Sequence, residues 1–382
     1  MAQISLQFRQ KHLLSLLDGY DKQSAPIDFW TSRYFREHTA LGSKDRAYIS
    51  DEVYRLVRYR ALCDYFLASP TWEKRFFWLS DNDPEAFLER DDIPLHIRLS
   101  MPEVLFNELV ASWGLEKAKA IALACLEPAP TCIRANSLKI SRDRLFDDLL
   151  KQGYEVSLGI ESDTAIYFHK KVNFFVLPEF KQGFFEVQDE ASQLVAKMVR
   201  AQPQEQVLDF CAGSGGKTLA FAPILAGTGQ IFLHDVRLHA LQEAKKRLRR
   251  AGIQNAQVVS SQDERRLKQL KKKMDWVLVD APCSGTGTLR RNPDMKWKFT
   301  KEMLERVVAN QRVIFEKALS FVKPLGSIVY ATCSILQEEN RAQAQHFLQT
   351  YPLEQVGDCF ESVPEPGKKD GFFAVTLRKL PT

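Results

Sequence analysis

The spacing of hydrophobic and polar residues changes along the chain and divides it into three parts. In the N-terminal part, apolar residues recur at three- and four-residue steps, and the stretch 45–67 shows this best through Ile49, Val53, Leu56 and Val57. Such spacing places apolar side chains on one face of a helix. We therefore expect a helical domain over residues 1–90, with an acidic, proline-containing linker at residues 80–94.

Residues 100–200 mix two kinds of pattern. A helical run over residues 101–126 ends at the proline-containing segment 127–130, and a strand, a helix and a turn follow it. This order predicts a region that combines helices with a small α+β subdomain.

From about Val207 onward, strand patterns alternate with helical ones. The candidate strands are residues 206–210, 229–235, 256–261, 275–280 and 326–333. This alternation predicts an α/β fold over residues 201–382, a doubly wound parallel sheet with helices on both faces. In such a sheet, ligands bind outside the carboxyl ends of the strands.

Composition narrows the class of protein. The 382 residues are 45% hydrophobic and 26% charged, which is typical of a folded protein of two or three domains. An apolar window of about 18 residues is missing and the first residues do not read as a signal peptide, so we expect a cytoplasmic protein that does not cross a membrane. Seven cysteines lack disulfide-scaffold or zinc-ligand spacing, which favours free thiols and no structural metal.

The net charge is only +5, but positive charge is clustered in segments 243–252, 264–274 and 288–298. Clustered Lys and Arg residues suit a polyanion, because phosphate contacts supply most non-specific affinity for nucleic acids. For the first two segments, solvated outer faces of helices explain the charge equally well. The third segment directly follows Cys283, and we expect it to be functional.

A glycine-rich turn follows the first predicted strand in residues 207–222. Its three glycines permit a close approach of a ligand to the main chain. A phosphate-binding P-loop would need a glycine where Cys211 stands, and the dinucleotide fingerprint would need a third glycine where Thr218 stands. S-adenosylmethionine is the ligand that remains, and Asp235 at the next strand end is placed to bind ribose hydroxyls.

Two cysteines stand at the ends of later strands. Cys283 follows 275–280 and Cys333 ends 326–333, so the two thiols meet in one pocket if these strands are neighbours. A lone cysteine is most often a small buried hydrophobe, and that is our expectation for Cys63, Cys125, Cys132 and Cys359. Asp280 lies three positions before Cys283, which favours a chemical role for both.

Two thiols, a carboxylate and a methyl donor fit methylation of cytosine at carbon 5. That carbon is a poor nucleophile until a thiolate adds to carbon 6, which is covalent catalysis. The second thiol can then act as a base or help to release the product, and Asp280 can stabilise charge on the ring. The target base must be unpaired or extruded from a helix. These residues alone leave the roles of Cys283 and Cys333 interchangeable.

The sequence resembles the RsmB/Fmu (Sun, NOL/NOP) family of RNA cytosine-5 methyltransferases over residues 100–382. The similar segments are residues 134–139, 183–194, 209–218, 280–297, 330–340 and 370–379. The D-A-P-C-S-G and T-C-S blocks within them are highly specific. The chain departs from the family where Gly213 and Ser214 replace its usual Ala-Pro, so we expect a more flexible turn.

The resemblance implies a role for each site residue. Cys333 would be the nucleophile and Cys283 the thiol that assists product release, with Lys217 reaching the same centre. Asp235 would bind the ribose of S-adenosylmethionine, and Asp263 would lie near its adenine. The remaining cofactor-binding positions would be Cys211, Ala212, Gly213, Ser214, Gly215, Gly216, Lys217 and Asp280.

The resemblance also implies RNA as the partner, with the N-terminal region as a trimmed NusB-like RNA-binding domain or an unrelated helical module, and with residues 100–200 also binding RNA. We expect ribosomal RNA as the substrate and a monomeric enzyme. Transfer RNA is the alternative substrate, since substrate choice lies in surface shape and in contacts to unpaired bases. A catalytically silent RNA-binding assembly factor is a further alternative, whereas a dehydrogenase would leave both thiols without a task.

Overall fold

The apolar spacing near the N-terminus produces helices in the computed structural model, which describes residues 2–23 and 25–381. The chain forms two units. The first unit contains Met1–Pro128 and Thr288–Lys301, and the second contains Ala129–Gly287 and Glu302–Thr382.

Among the described residues, the first helices follow one another without strands, and the later helices alternate with strands. They are α1 (Ala2–Tyr20), α2 (Ile27–Glu37), α3 (Ser43–Arg58), α4 (Arg60–Phe66), α5 (Trp72–Asp81), α6 (Leu95–Arg98), α7 (Glu103–Trp113), α8 (Leu115–Ala124), α9 (Arg142–Lys151), α10 (Pro178–Lys181), α11 (Glu190–Ala196), α12 (Gly216–Phe221), α13 (Leu238–Ala251), α14 (Glu264–Leu270), α15 (Met295–Lys298), α16 (Lys301–Leu319) and α17 (Arg341–Thr350). None of them is long and apolar enough to span a membrane.

The first unit is built around the apolar face that the sequence predicts on α3. Ile49, Val53, Leu56 and Val57 are fully buried there. They belong to one apolar cluster with side chains of α1, α2 and α5, including Leu13, Leu16, Ile27 and Trp72. The helical character of the N-terminal region is therefore confirmed, while its likeness to a NusB domain stays a prediction.

The basic segment 288–298 differs from the sequence expectation of a polyanion-binding surface. Arg290 and Lys296 are each only 1% exposed, and the Lys296 ammonium donates to the carbonyls of Arg58 and Ser100 within the first unit. Two of the charges in this segment are thus used inside the protein. Charge counting along the sequence does not reveal burial.

The strands of the second unit form two sheets. They are β1 (Thr131–Ala135), β2 (Val156–Leu158), β3 (Ala165–Phe168), β4 (Phe185–Val187), β5 (Gln206–Asp209), β6 (Gln230–Asp235), β7 (Ala256–Ser260), β8 (Met274–Asp280), β9 (Val322–Thr332), β10 (Leu353–Gln355), β11 (Phe360–Ser362) and β12 (Phe372–Lys379). The small sheet is antiparallel in the order β2-β3-β1-β4. It provides the α+β part that the sequence predicts between the helices and the main sheet.

The main sheet has the order β10-β12-β9-β8-β5-β6-β7, with β11 paired to β12. Strands β5 to β9 are parallel, as predicted. The expectation of a wholly parallel sheet is wrong at one edge, because β12 inserts antiparallel between β9 and β10. The physical reason is that β10, β11 and β12 follow each other without the helical crossover that parallel neighbours need.

Successive residues of the central strands point to opposite faces of the main sheet, and both faces are covered. Val207 and Ile231 pack in one apolar cluster, whereas their neighbours Leu208 and Phe232 pack in another. The doubly wound α/β architecture is thereby confirmed.

Two ion pairs connect the small sheet to α13. The carboxylate of Glu186, on β4, accepts from Arg247 at 3.0 Å and from Arg250 at 2.5 Å. Part of the charge in segment 243–252 is therefore internal, and the rest of it, including Lys245 and Lys246, is exposed.

Candidate active site

The glycine-rich turn joins β5 to α12 in the conformation that its glycines permit. Gly213 and Gly215 have φ angles of 53° and 80°, which side-chain-bearing residues rarely adopt. A Cβ atom on Gly215 would lie 3.2 Å from the Cβ atom of Ala244. Gly215 therefore serves the close packing of the turn against α13.

A cleft with a volume of about 1270 Å³ opens at the carboxyl ends of the parallel strands. The cleft is lined by most of the residues that the sequence singles out, namely Cys211, Ala212, Gly213, Ser214, Gly216, Lys217, Asp235 and Asp280. Gly215, Asp263, Cys283 and Cys333 do not line it. The Asp263 carboxylate instead accepts from the backbone N–H of Arg266 at 3.0 Å and caps α14, while its neighbours Ser261 and Glu264 face the cleft.

Asp235 ends β6 and fixes the glycine-rich turn. Its carboxylate accepts from the backbone N–H of Gly213 at 2.8 Å and from Arg237 through one backbone and two guanidinium donors at 2.9 to 3.0 Å. Burial acts against its charge, but the Arg237 guanidinium and the backbone donors hold its pKa below the ordinary value. Sequence analysis missed Arg237, although a cation two positions after a strand-end acid is a visible signal.

Asp209 ends β5 on the cleft wall and was also missed. The Thr218 hydroxyl donates to its Oδ2 at 2.6 Å, whereas its Oδ1 is buried without a hydrogen-bond partner among the described residues. Burial raises the pKa of Asp209 to about 7, and the charges of Asp280 and Asp235 add to this effect. A buried carboxylate oxygen without a donor suits a cationic group of a ligand.

Lys217 and Asp280 form an ion pair inside the cleft. The ammonium lies 2.5 Å from Oδ2 of Asp280, and the two side chains are 8% and 33% exposed. Burial disfavours the ammonium, but Asp280 and the neighbouring Cys333 outweigh this cost and raise the pKa of Lys217. Lys217 is therefore a fixed positive charge between the glycine-rich turn and the cysteines.

The structure brings the two predicted thiols together. Strands β8 and β9 are parallel neighbours, with Asp280 opposite Ala331, and the sulfur atoms of Cys283 and Cys333 lie 3.2 Å apart. The hydrogen bond with Cys333, followed by burial, raises the pKa of the Cys283 thiol well above its ordinary value. Two thiols in contact beside a fixed ammonium can divide into one thiolate and one proton donor.

The other cysteines differ in their burial. Cys63, Cys125 and Cys132 are buried, as expected of small hydrophobes, whereas Cys359 is partly exposed at the edge of an apolar cluster. Cys211 lines the cleft, and burial raises its pKa above the ordinary value. Across residues 2–23 and 25–381, His, Cys, Asp and Glu side chains do not form a group of three or more that suits a metal ion.

Comparison with known proteins agrees with this arrangement. Residues 196–378 match the family of 16S rRNA methyltransferases RsmB/F, and residues 101–174 match the ferredoxin-like domain of RsmF/B-like methyltransferases. The ribosomal RNA small subunit methyltransferase B of Sodalis glossinidius is 34% identical over 305 residues, which cover 77% of this chain and 68% of that protein. The chain belongs to the RsmB/F methyltransferase family.

Two further similarities set the extent of the match. The enzyme of the same name from Proteus mirabilis is 34% identical over 65% of this chain, and the chain covers 59% of that protein's length. The crystal structure of PH0851 is 22% identical, with a TM-score of 0.80 over 96% of this chain and 97% of that one, and it shows the same fold. Membership of the RsmB/F family confirms S-adenosylmethionine as the cofactor.

Proposed function

We propose that the protein methylates carbon 5 of a cytosine in RNA through a covalent adduct between Cys333 and carbon 6 of the base. The observation that carries this proposal is the contact of the two sulfur atoms, 3.2 Å apart, at the ends of adjacent parallel strands beside the Lys217–Asp280 pair. A binding protein without catalytic activity would have no use for this combination.

The charges around the thiols support different roles for the two cysteines. The Lys217 ammonium interacts with Cys333 and supplies a positive charge to the surroundings of that sulfur. Cys283 keeps its proton more strongly and can donate it to the sulfur of Cys333. We assign Cys333 as the nucleophile, because the thiolate is the reactive form, and Cys283 as the proton-carrying thiol that assists release.

Asp280 is placed to bind the base. Its carboxylate is one-third exposed, lines the cleft and is held by Lys217. In this position it can accept a hydrogen bond from the exocyclic amine of cytosine and orient carbon 6 toward Cys333. Lys217 balances the charge of the carboxylate while the base is bound.

S-adenosylmethionine supplies the methyl group when it is bound. The unsatisfied Oδ1 of Asp209 fits its ammonium group, and the main chain of residues 211–216 offers a close surface. Asp235, which is paired with Arg237, would accept hydrogen bonds from the ribose hydroxyls. Asp263, at the start of α14, would lie near the adenine.

We infer that the substrate is ribosomal RNA of the small subunit, because the relatives from Sodalis glossinidius and Proteus mirabilis carry that name. The target cytosine must be unpaired or extruded to reach the cleft. Exposed basic side chains suited to the RNA backbone include Lys245, Lys246, Arg249, Lys268 and Lys272.

The test uses labelled S-adenosylmethionine and ribosomal RNA from cells that lack the enzyme. Wild-type protein should place the label in 5-methylcytosine. Cys333→Ala should abolish incorporation, and Cys283→Ala should accumulate a protein–RNA adduct that survives a denaturing gel. Cys359→Ala is the matched control, since Cys359 is also a partly exposed cysteine but is not part of the contact between Cys283 and Cys333, and it should behave as the wild type.

Other outcomes separate the alternatives. Label in transfer RNA but not in ribosomal RNA would replace the substrate. RNA binding with no label in any RNA would favour an assembly factor. Normal turnover by Cys333→Ala would contradict the covalent route.

A further inference from the structure

A buried carboxylate lies behind the two cysteines, at Glu339 on the turn before α17. It forms a cluster with Ser284, Thr286, Gln311 and Ser334, all of them buried, and we call this set the Glu339 cluster. Ser284 directly follows Cys283, and Ser334 directly follows Cys333. The cluster therefore joins the two cysteine-bearing loops through the residues next to the reactive sulfurs.

The two carboxylate oxygens of Glu339 together accept hydrogen bonds from both cysteine-bearing loops and from Gln311. Oε1 accepts from the backbone N–H of Ser284 at 2.8 Å and from the Gln311 side-chain amide at 2.9 Å. Oε2 accepts from the Ser334 hydroxyl at 2.5 Å and from the Ser284 hydroxyl. Four donors and an acceptor-only side chain are the pattern of an ionised carboxylate.

The cluster is itself held from outside. The Gln343 amide donates to the Gln311 side-chain oxygen at 2.9 Å, and the Gln311 amide also reaches the carbonyl of Pro282 at 3.1 Å. The hydroxyl of Thr286 lies 3.0 Å from that of Ser334 and accepts from the backbone N–H of Ile335 at 3.1 Å. Every polar group of the cluster thus has a fixed partner, which determines where the loops can lie.

The four groups that donate to Glu339 are neutral, so its negative charge acts on its surroundings. After the hydrogen bond with Cys333, burial and the charge of Cys333, the charge of Glu339 also contributes to the raised pKa of Cys283. Tyr330 also faces Cys283, and its own pKa is raised by burial and then by Glu339. The ammonium of Lys217 interacts with the other thiol, Cys333. A negative charge therefore acts on Cys283 and a positive charge acts on Cys333.

We propose that Glu339 is a positioning residue of the methyl transfer, which fixes the separation of the two cysteine loops and keeps the proton on Cys283. This inference rests on the proposed function for its purpose, since the retained proton leaves Cys333 as the nucleophile. Glu339 acts through Ser284 and Ser334 and by charge, without touching the substrate.

The test measures alkylation of Cys283 by iodoacetamide across pH in full-length protein, read by peptide mass spectrometry. Cys333→Ser is the parent, so that Cys283 is measured without the competing thiol. Adding Glu339→Gln keeps the shape and removes the charge. We expect the alkylation profile to move down by about one pH unit, which makes the reaction about tenfold faster at pH 8.

Two further variants separate charge from structure. Glu339→Asp keeps the charge, and its profile should stay with that of the parent. Gln311→Leu removes one donor to the carboxylate and leaves the charge, so its profile should stay or move up. An unmoved profile in Glu339→Gln, or a downward move in Gln311→Leu, would overturn the proposal.

Methyl transfer is the second readout. In the Cys333-containing protein, Glu339→Gln should lower kcat and leave KM for S-adenosylmethionine unchanged. Alkylation does not depend on methylation, so absence of methylation by wild-type protein would reject the proposed function while the profile of Cys283 still tests the role of Glu339.

Discussion

Two lysines are buried among the residues that the structure describes, one in each unit, and their surroundings differ. In the cleft of the second unit, Lys217 pairs with the carboxylate of Asp280. In the first unit, the Lys296 ammonium donates to two backbone carbonyls, those of Arg58 at 2.7 Å and Ser100 at 2.5 Å, and lies 4.8 Å from the centre of the Trp297 ring.

Their pKa values move in opposite directions. Burial lowers the pKa of Lys296 to about 7. Burial also opposes the charge on Lys217, but the Asp280 carboxylate overcomes it and raises the pKa. The opposite charge of Asp280 thus outweighs the desolvation cost at Lys217, whereas the carbonyl dipoles around Lys296 do not outweigh it. The proposed reaction uses the cation fixed at Lys217, whereas Lys296 connects the end of α3 to Ser100, two residues after α6.

Removal of the Lys217 charge should change activity more than any other substitution at the two lysines. Lys217→Met should lower kcat for methyl transfer by about 10²- to 10³-fold, because it removes a preorganised charge beside Cys333 and Asp280. Lys296→Met is the matched control, a buried lysine changed to the same residue, and should keep kcat per folded molecule. Single-turnover methylation with both variants is the measurement. Equal losses in the two variants would mean that Lys217 acts only through folding.

The two lysines also differ in how much of their structural setting the sequence predicts. The resemblance to the RsmB/Fmu family implies a place for Lys217 near the cysteines, and the structure pairs its ammonium with Asp280. Lys296 was counted only as part of a basic segment, because neither its burial nor that of Arg290 has a local signal. The parallel core of the sheet followed from strand and helix alternation, whereas the antiparallel insertion of β12 depended on pairing between distant segments.

The candidate site divides in the same way. Cys283 and Cys333 were predicted, because strand ends meet at one sheet edge, and the sulfurs do lie in contact. The roles of Asp209 and Glu339 escaped prediction, because they depend on which buried oxygens receive donors from residues far along the chain. Asp263 caps α14, and its proposed role near adenine stays a prediction.

The depressed pKa of Lys296 should make the stability of the protein depend on pH. Its folded pKa of about 7 lies below the ordinary value of about 10.4 for the unfolded chain, so between these values the unfolded state binds more protons. The free energy of unfolding should therefore rise with pH, by at most about 1.4 kcal/mol per pH unit from this group. This added free energy of unfolding is lost again as pH falls toward 7.

Urea unfolding of wild type and Lys296→Met at pH 7 and pH 9 measures this slope. The variant should lack the rise, since methionine does not titrate. A slope that persists unchanged in Lys296→Met would show that the two carbonyls keep Lys296 charged in the folded protein.

The two acids Asp280 and Asp209 also differ in their partners, and this difference should have a smaller effect. Asp280 has a cation as partner, whereas Oδ1 of Asp209 has no donor in the described part of the chain, and the pKa of Asp209 is raised to about 7. If the ammonium of S-adenosylmethionine fills this place, only the ionised carboxylate binds it well. Affinity should then fall as pH decreases through 7, by about fivefold between pH 7 and pH 6. Asp235, whose pKa is depressed, does not titrate in this window.

Calorimetric titration with S-adenosylmethionine in buffers of different ionisation enthalpy tests this directly. At pH 6, wild-type protein should release close to one proton on binding, because the bound ammonium ionises Asp209. Asp209→Asn keeps the shape and the acceptor for Thr218, and should bind more weakly with no proton release and no pH dependence from 6 to 7. Proton release that survives in Asp209→Asn would assign the titration to another group. Oδ1 of Asp209 would then have no part in binding the cofactor.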